Sequence, residues 1–162
     1  MKSFFLIPSA AIVLTLTLAL AAPAAAGTTT IPVSITFTEP LIPGFVKGCP
    51  VAPEGFCGSG EVIPFGHATE MIDFNAGCGG SCDLRTINLA AGSIFSDETF
   101  SNPGCPGVCQ PNPAEPSSGA LTDTVVGGTG IFTGASGSLS GTVRGNGPES
   151  QIQLAGTITL TN

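Results

Sequence analysis

The chain has no tryptophan and no tyrosine, a single histidine, and only 4 Lys and Arg against 11 Asp and Glu. Each shortage excludes something. Extracellular sugar binding usually leans on exposed Trp or Tyr platforms, and this chain has none to offer. A formal net charge of −7 repels phosphate backbones and anionic headgroups, which argues against nucleic acid or a membrane surface as a partner. Charged residues are 9% of the chain against the usual quarter, so catalysis by a constellation of titratable groups has few members to draw on. No G-x-S-x-G, H-E-x-x-H, phosphate-loop or calcium-loop spacing occurs, and no N-x-S/T acceptor. After residue 26 no helical stripe of useful length appears, which removes helical bundles and α/β folds.

What is present begins with a leader pattern. Lys2 gives a basic start, an uncharged apolar run extends from Phe4 to Ala22, and Pro23 precedes Ala24-Ala25-Ala26. This predicts a secretory signal peptide over 1–26, cleaved between Ala26 and Gly27, and a single secreted domain over 27–162. The run could just span a bilayer as an uncleaved anchor, but no basic flank follows it and the A-x-A site is clean. Processing removes Lys2 and leaves Lys47, Arg85 and Arg144 as the only Lys and Arg. No later stretch approaches spanning length, so no membrane partner is expected after cleavage.

All 23 Gly fall after the leader, where they punctuate short runs of alternating character. Ile31, Val33, Ile35 and Phe37 alternate with Pro32, Ser34 and Thr36, the period of a strand with one buried face. Residues 39–60, rich in Pro and Gly, read as a long surface loop pinned by Cys49 and Cys57. From Gly66 to Phe74, Ala68, Ile72 and Phe74 share one face and His67, Thr69, Met71 and Asp73 the other. Runs at Leu84–Leu89 and Ser93–Phe100 flank Ala90-Ala91-Gly92, a three-residue hairpin turn. Asn102–Ser118 is a second Pro-rich loop. Leu121, Asp123 and Val125 then alternate, Gly127–Gly130 turns, Ile131–Gly134 reads as a short strand segment, and Leu139–Val143 and Ile152–Leu160 close the chain. Seven or eight strands in one all-β domain should form an antiparallel closed barrel or a sandwich, since either disposes of exposed edges.

The 6 Cys fall as three close pairs. Export makes disulfides the default, and although fifteen pairings exist in principle, the spacing favours three local bridges, Cys49–Cys57, Cys78–Cys82 and Cys105–Cys109. A zinc site from Cys78, Cys82, Cys105 and Cys109 is disfavoured, because the usual knuckle has two residues between thiols and a reducing compartment. No metal and no cofactor are expected.

Among titratable groups, His67 is the only one with an ordinary pKa suited to acid–base work near neutrality, and it reads as a polar residue on the wet face. Glu70 has core parity. It is either a buried acid with a raised pKa or a rim residue, and the rim is the preferred reading. Asp123 shares parity with Leu121 and Val125, which allows it to point inward. Arg85 and Arg144 can pair across strands with Asp83, Asp97 or Asp123, Arg144 at a solvated strand end. A buried carboxylate in a small barrel is the best single hint of a site, with Glu70 and Asp123 the candidates.

At Gly127–Ser138 the string GGTGIFTGASGS, followed by Leu139-Ser140-Gly141 and a final alternating strand, resembles the C-terminal signature of the allene oxide cyclase-like and dirigent-like barrels, which include many small secreted bacterial proteins. Its elements are the turn glycines Gly127, Gly128 and Gly130, the aromatic Phe132, and the second turn at Gly134 and Gly137. The resemblance implies an eight-stranded antiparallel barrel. In the plant families such barrels bind apolar or phenolic molecules and steer a cyclisation or a radical coupling. The resemblance carries over the fold and no active-site residue. The preferred expectation is therefore a secreted, non-catalytic extracellular or cell-surface protein with room for a small apolar ligand. The alternatives are a cyclase or isomerase working through one or two buried polar groups, or an inhibitor or adhesion module presenting Val46–Cys57 and Asn102–Ser118.

Overall fold

In the computed structural model the residues described are 27–40, 55–101, 118–145 and 149–161. They form eight strands: β1 (Thr28–Pro40), β2 (Gly55–Ile63), β3 (Gly66–Gly77), β4 (Cys82–Leu89), β5 (Gly92–Ser101), β6 (Ser118–Gly128), β7 (Ser136–Gly145) and β8 (Glu149–Thr161). Each pairs antiparallel with its sequence neighbour, and β8 pairs with β1, so the sheet closes into a barrel. Closure leaves no free edge, as the alternating pattern requires. The leader, most of the two Pro-rich loops, and Cys49, Cys105 and Cys109 lie outside the described residues.

Strand limits differ from the sequence reading in instructive places. The segment assigned to a loop from Glu39 contributes both the end of β1 and the start of β2. Glu39 continues the inward parity of Val33, Ile35 and Phe37 and pairs with Ser150 on β8. Glycine-rich β2 has little strand propensity, but it is held by ladders on both sides. The Ala90-Ala91 link is a two-residue turn, because Leu89 already pairs with Gly92. Ile131–Gly134 is not a strand. Gly130 at φ 60° and Gly134 at φ 70° break the extended chain around a 3-10 turn, Gly130–Phe132. That turn drives Phe132 into the end of the barrel, fully buried and edge-on to Phe65 at 5.0 Å.

Inward residues stack in three tiers. At the end plugged by Phe132 lie Ile35, Val62, Ile87, Ile94, Leu139 and Ile158. At the opposite end lie Phe56, Ile72, Leu121 and Val143, with Phe74 and Phe100 partly buried against them. Between the two apolar tiers sits a band of buried polar residues: Glu39, Glu70, Arg85, Ser96, Glu98, Asp123 and Ser150. The β3–β4 hairpin is tied by a disulfide between Cys78 and Cys82 with Cα atoms 5.4 Å apart. Cys57 is also disulfide-bonded, and its expected partner Cys49 lies outside the described residues.

Candidate functional site

The middle tier is built by strand parity. Arg85 on β4 continues the inward row of Ile87 and Leu89, and the barrel brings it level with acids from three neighbouring strands. Its Nη1 donates to Glu70 Oε2 from β3 and its Nη2 to Glu98 Oε2 from β5. Its Nε lies 3.1 Å from Asp123 Oδ2 of β6, close enough for an ion pair but off-line for a hydrogen bond. Asp123 Oδ2 accepts instead from Ser96 Oγ at 3.0 Å. A fourth acid, Glu39 on β1, accepts from Ser150 Oγ at 2.7 Å and feels the Arg85 charge without touching it.

One guanidinium thus faces four carboxyl groups in a water-poor interior, and the imbalance shows in their protonation. Burial pushes Glu39 up to about 7 against the opposing pull of Arg85 and Ser150. Asp123 is pushed up to about 6 by burial, with Arg85 opposing and Glu98 adding to the rise. Burial alone would lower Arg85, but Glu98, Asp123 and Glu39 outweigh it and hold the guanidinium firmly charged. Hydrogen bonding in the cluster is also incomplete on both sides, since the Arg85 Nε donor is buried without a partner. Glu39 Oε1, Glu70 Oε1 and Asp123 Oδ1 are buried without a hydrogen-bond partner, and a buried acceptor in that state is costly unless something donates to it.

The Glu39 and Glu70 side chains share one neighbourhood. Glu70 pairs across the ladder with Gly58 of β2, and Glu39 lies one step beyond the Thr38–Ser59 pair, on the other side of the same glycine. A Cβ at Gly58 would come within 2.7 Å of Glu70 Oε1 and 2.9 Å of Glu39 Cγ. The missing side chain is what lets the two acids lean together over β2.

Of the candidates read from sequence, Glu70 and Asp123 are both buried in this cluster, and the rim placement of Glu70 is overturned by the ladder that carries β3 well past it. Arg85 meets Asp123, one of its three expected partners, together with Glu70 and Glu98. Arg144 is exposed at its strand end. His67 is exposed, 3.7 Å from Glu61, and stands apart from the cluster. Sequence reasoning missed Glu39, Glu98, Ser96 and Ser150. The signal was parity: Glu39 extends Ile31–Phe37, and Ser96 and Glu98 extend Ile94. The turn glycines serve the plug, with Gly127 at φ 154° and Gly137 at φ 158° flanking the segment that carries Phe132. Among the described residues Cys78, Cys82 and Asp97 bring potential metal-ligand atoms within 4.8 Å of one another, but the two sulfurs are joined in the disulfide.

Compared with protein-family models, curated proteins and solved structures, the chain matches none.

Proposed function

We propose that the chain is exported, processed at Ala26–Gly27, and that its barrel holds a small, largely apolar molecule against the Arg85 cluster. The observation that carries this reading is the set of buried polar atoms left without a partner, Glu39 Oε1, Glu70 Oε1, Asp123 Oδ1 and Arg85 Nε, inside an otherwise apolar barrel. A barrel selected for stability alone gains little from such a cluster, since apolar side chains of similar volume usually serve as well or better. A ligand with one or two donor groups and a hydrocarbon body would satisfy the oxygens and contact the Phe-lined tier. The leader pattern and the disulfides support export.

A second reading is favoured by Glu39. An acid poised at about 7, held through one oxygen by Ser150 and beside a fixed positive charge, can give and take a proton near neutrality. That would make the barrel a cyclase or isomerase acting on an apolar substrate. The likeness of Gly127–Ser138 to allene oxide cyclase-like and dirigent-like barrels fits either reading.

Native mass spectrometry of protein recovered from culture medium tests both. The expected spectrum is a polypeptide beginning at Gly27, lighter by one hydrogen for each of the 6 Cys, carrying a small molecule released on collisional activation. A bare polypeptide that also fails to take up Nile red would remove the binding reading. If the released molecule is unchanged on chromatography after incubation with fresh protein, the catalytic reading falls.

A further inference from the structure

The two ends of the barrel differ in what they expose. Short connections between β2 and β3, β4 and β5, and β6 and β7 close the end plugged by Phe132, whereas both Pro-rich loops attach at the other. Ile63, Val126 and Ile131, at 63%, 53% and 50%, are the exposed large apolar side chains among the described residues, and all three lie at the plugged end. Ile63 ends β2, and Val126 lies near the end of β6, four strands away on the opposite wall. The plug turn carries Ile131 between them, where its N–H donates to Ala91 O at 3.1 Å. Exposed Pro64, Ala90 and Ala91 complete an apolar rim. Large exposed apolar groups gathered at one place mark a contact surface. Charge is placed elsewhere: Asp83, Arg144 and Glu149 stand at the opposite end, and Glu61 and His67, next along the β2–β3 wall, lie 3.7 Å from each other.

The chain enters the barrel at this same end. Thr28 opens β1 beside Thr161, whose Oγ1 donates to Thr133 O just past the plug turn at 3.3 Å. Residues 23–27 are all that separate the leader's apolar run from Thr28, at most roughly 20 Å of extended chain. A leader seated in a bilayer therefore keeps the plugged end, and not the other, beside the headgroups. We propose that this end is a lipid-docking face. Ile63, Val126 and Ile131 rest in the interfacial layer of a zwitterionic phospholipid bilayer while the leader is attached, and they hold the barrel there weakly after processing. The proposal rests on the export reading above and adds a partner to it. Apolar groups on opposite walls suit a plane, which touches both at once, better than a peptide lying in a groove. A net charge of −7 turns anionic headgroups away, so the surface is a zwitterionic one. With no basic side chain on the rim, the hold is reversible once the leader is gone.

Because the chain has no tryptophan, a single introduced indole provides the test. Ile131→Trp and Ile63→Trp each place one on the docking end, and Thr142→Trp places one on the exposed outer face of β7. Each is made in the leader-bearing chain and in residues 27–162, and mixed with phosphatidylcholine vesicles with and without brominated acyl chains. In both forms the reporters at 131 and 63 should shift to the blue and be quenched by brominated lipid, while the reporter at 142 is not. In vesicle flotation of residues 27–162, Ile63→Ser combined with Ile131→Ser should lower the partition coefficient roughly tenfold, the loss expected from two partly covered apolar side chains, with the melting temperature unchanged. Quenching of all three reporters alike, or of none, overturns the proposal. Quenching confined to the leader-bearing chain supports the orientation and overturns the hold after processing. A blue shift at 131 and 63 without lipid, with doubled mass in sedimentation, assigns the end to a second copy and overturns the lipid assignment. Export is judged separately, by whether protein from culture medium begins at Gly27.

Discussion

Arg85 and Glu39 both hold their protons more tightly in the barrel, which keeps the first charged and the second neutral. Arg85 stays charged, whereas Glu39 carries its proton in the barrel up to about pH 7, well above the ordinary value of 4.5. A folded state that holds a proton more tightly than the unfolded chain is stabilised below the unfolded pKa and loses that contribution as pH rises through the folded one. Asp123, raised to about 6, acts in the same direction. The barrel should therefore melt at a higher temperature at pH 5 than at pH 8. Glu39→Gln, which mimics the protonated acid, should raise the melting temperature at pH 8 and recover roughly 2 to 3 kcal/mol of the difference. Thermal melts of both proteins at the two pH values decide it, and a wild-type melt that is higher at pH 8 would mean the four acids are jointly satisfied as anions. The sequence marked Asp123 as inward because apolar residues bracket it at the same parity. Glu39 escaped notice because its alternation ends at a proline, and its pairing with Ser150, far along the chain, leaves no local trace.

At the scale of strands, β7 and β8 show where glycine is required by close approach. Gly141 and Gly156 face the barrel interior, and a Cβ on either would collide with backbone of the neighbouring strand, at Gln153 and Ser138 respectively. The strands bend toward one another there, as barrel corners demand. Gly156→Ala should cost about 2 kcal/mol or more in urea unfolding, whereas Ser140→Ala on the outer face of β7 should stay within about 0.5 kcal/mol. A Gly156→Ala protein as stable as the wild type would mean that β7 and β8 are spaced more widely. These strands were legible in the sequence because period-two alternation is a local signal. The short segment Ile131–Gly134 and the start of β2 were misread for the converse reason. Positive-φ glycines turn the first into a plug, and pairing on two sides holds the second extended despite its composition.

For the molecule as a whole, closure of the barrel was readable from strand count and edge avoidance, but the cluster at its centre was not. Periodicity says which side of a strand a residue faces and nothing about its height along the barrel. Height depends on the stagger accumulated around eight strands, and it is height that brings Glu70, Arg85, Glu98 and Asp123 to one level and Glu39 beside them. A chain with so few charges places five titratable side chains inside, an arrangement that stabilises a fold poorly compared with apolar packing. The direct test is to replace the set by apolar residues of similar size, Glu39→Met, Glu70→Leu, Arg85→Met, Glu98→Leu and Asp123→Leu together, and to measure the guanidinium unfolding midpoint. If the charges are kept for what they bind, the substituted barrel unfolds at a midpoint equal to or above that of the wild type. A midpoint far below it, or a chain that no longer folds, would show that the cluster holds the barrel together and would contradict the account.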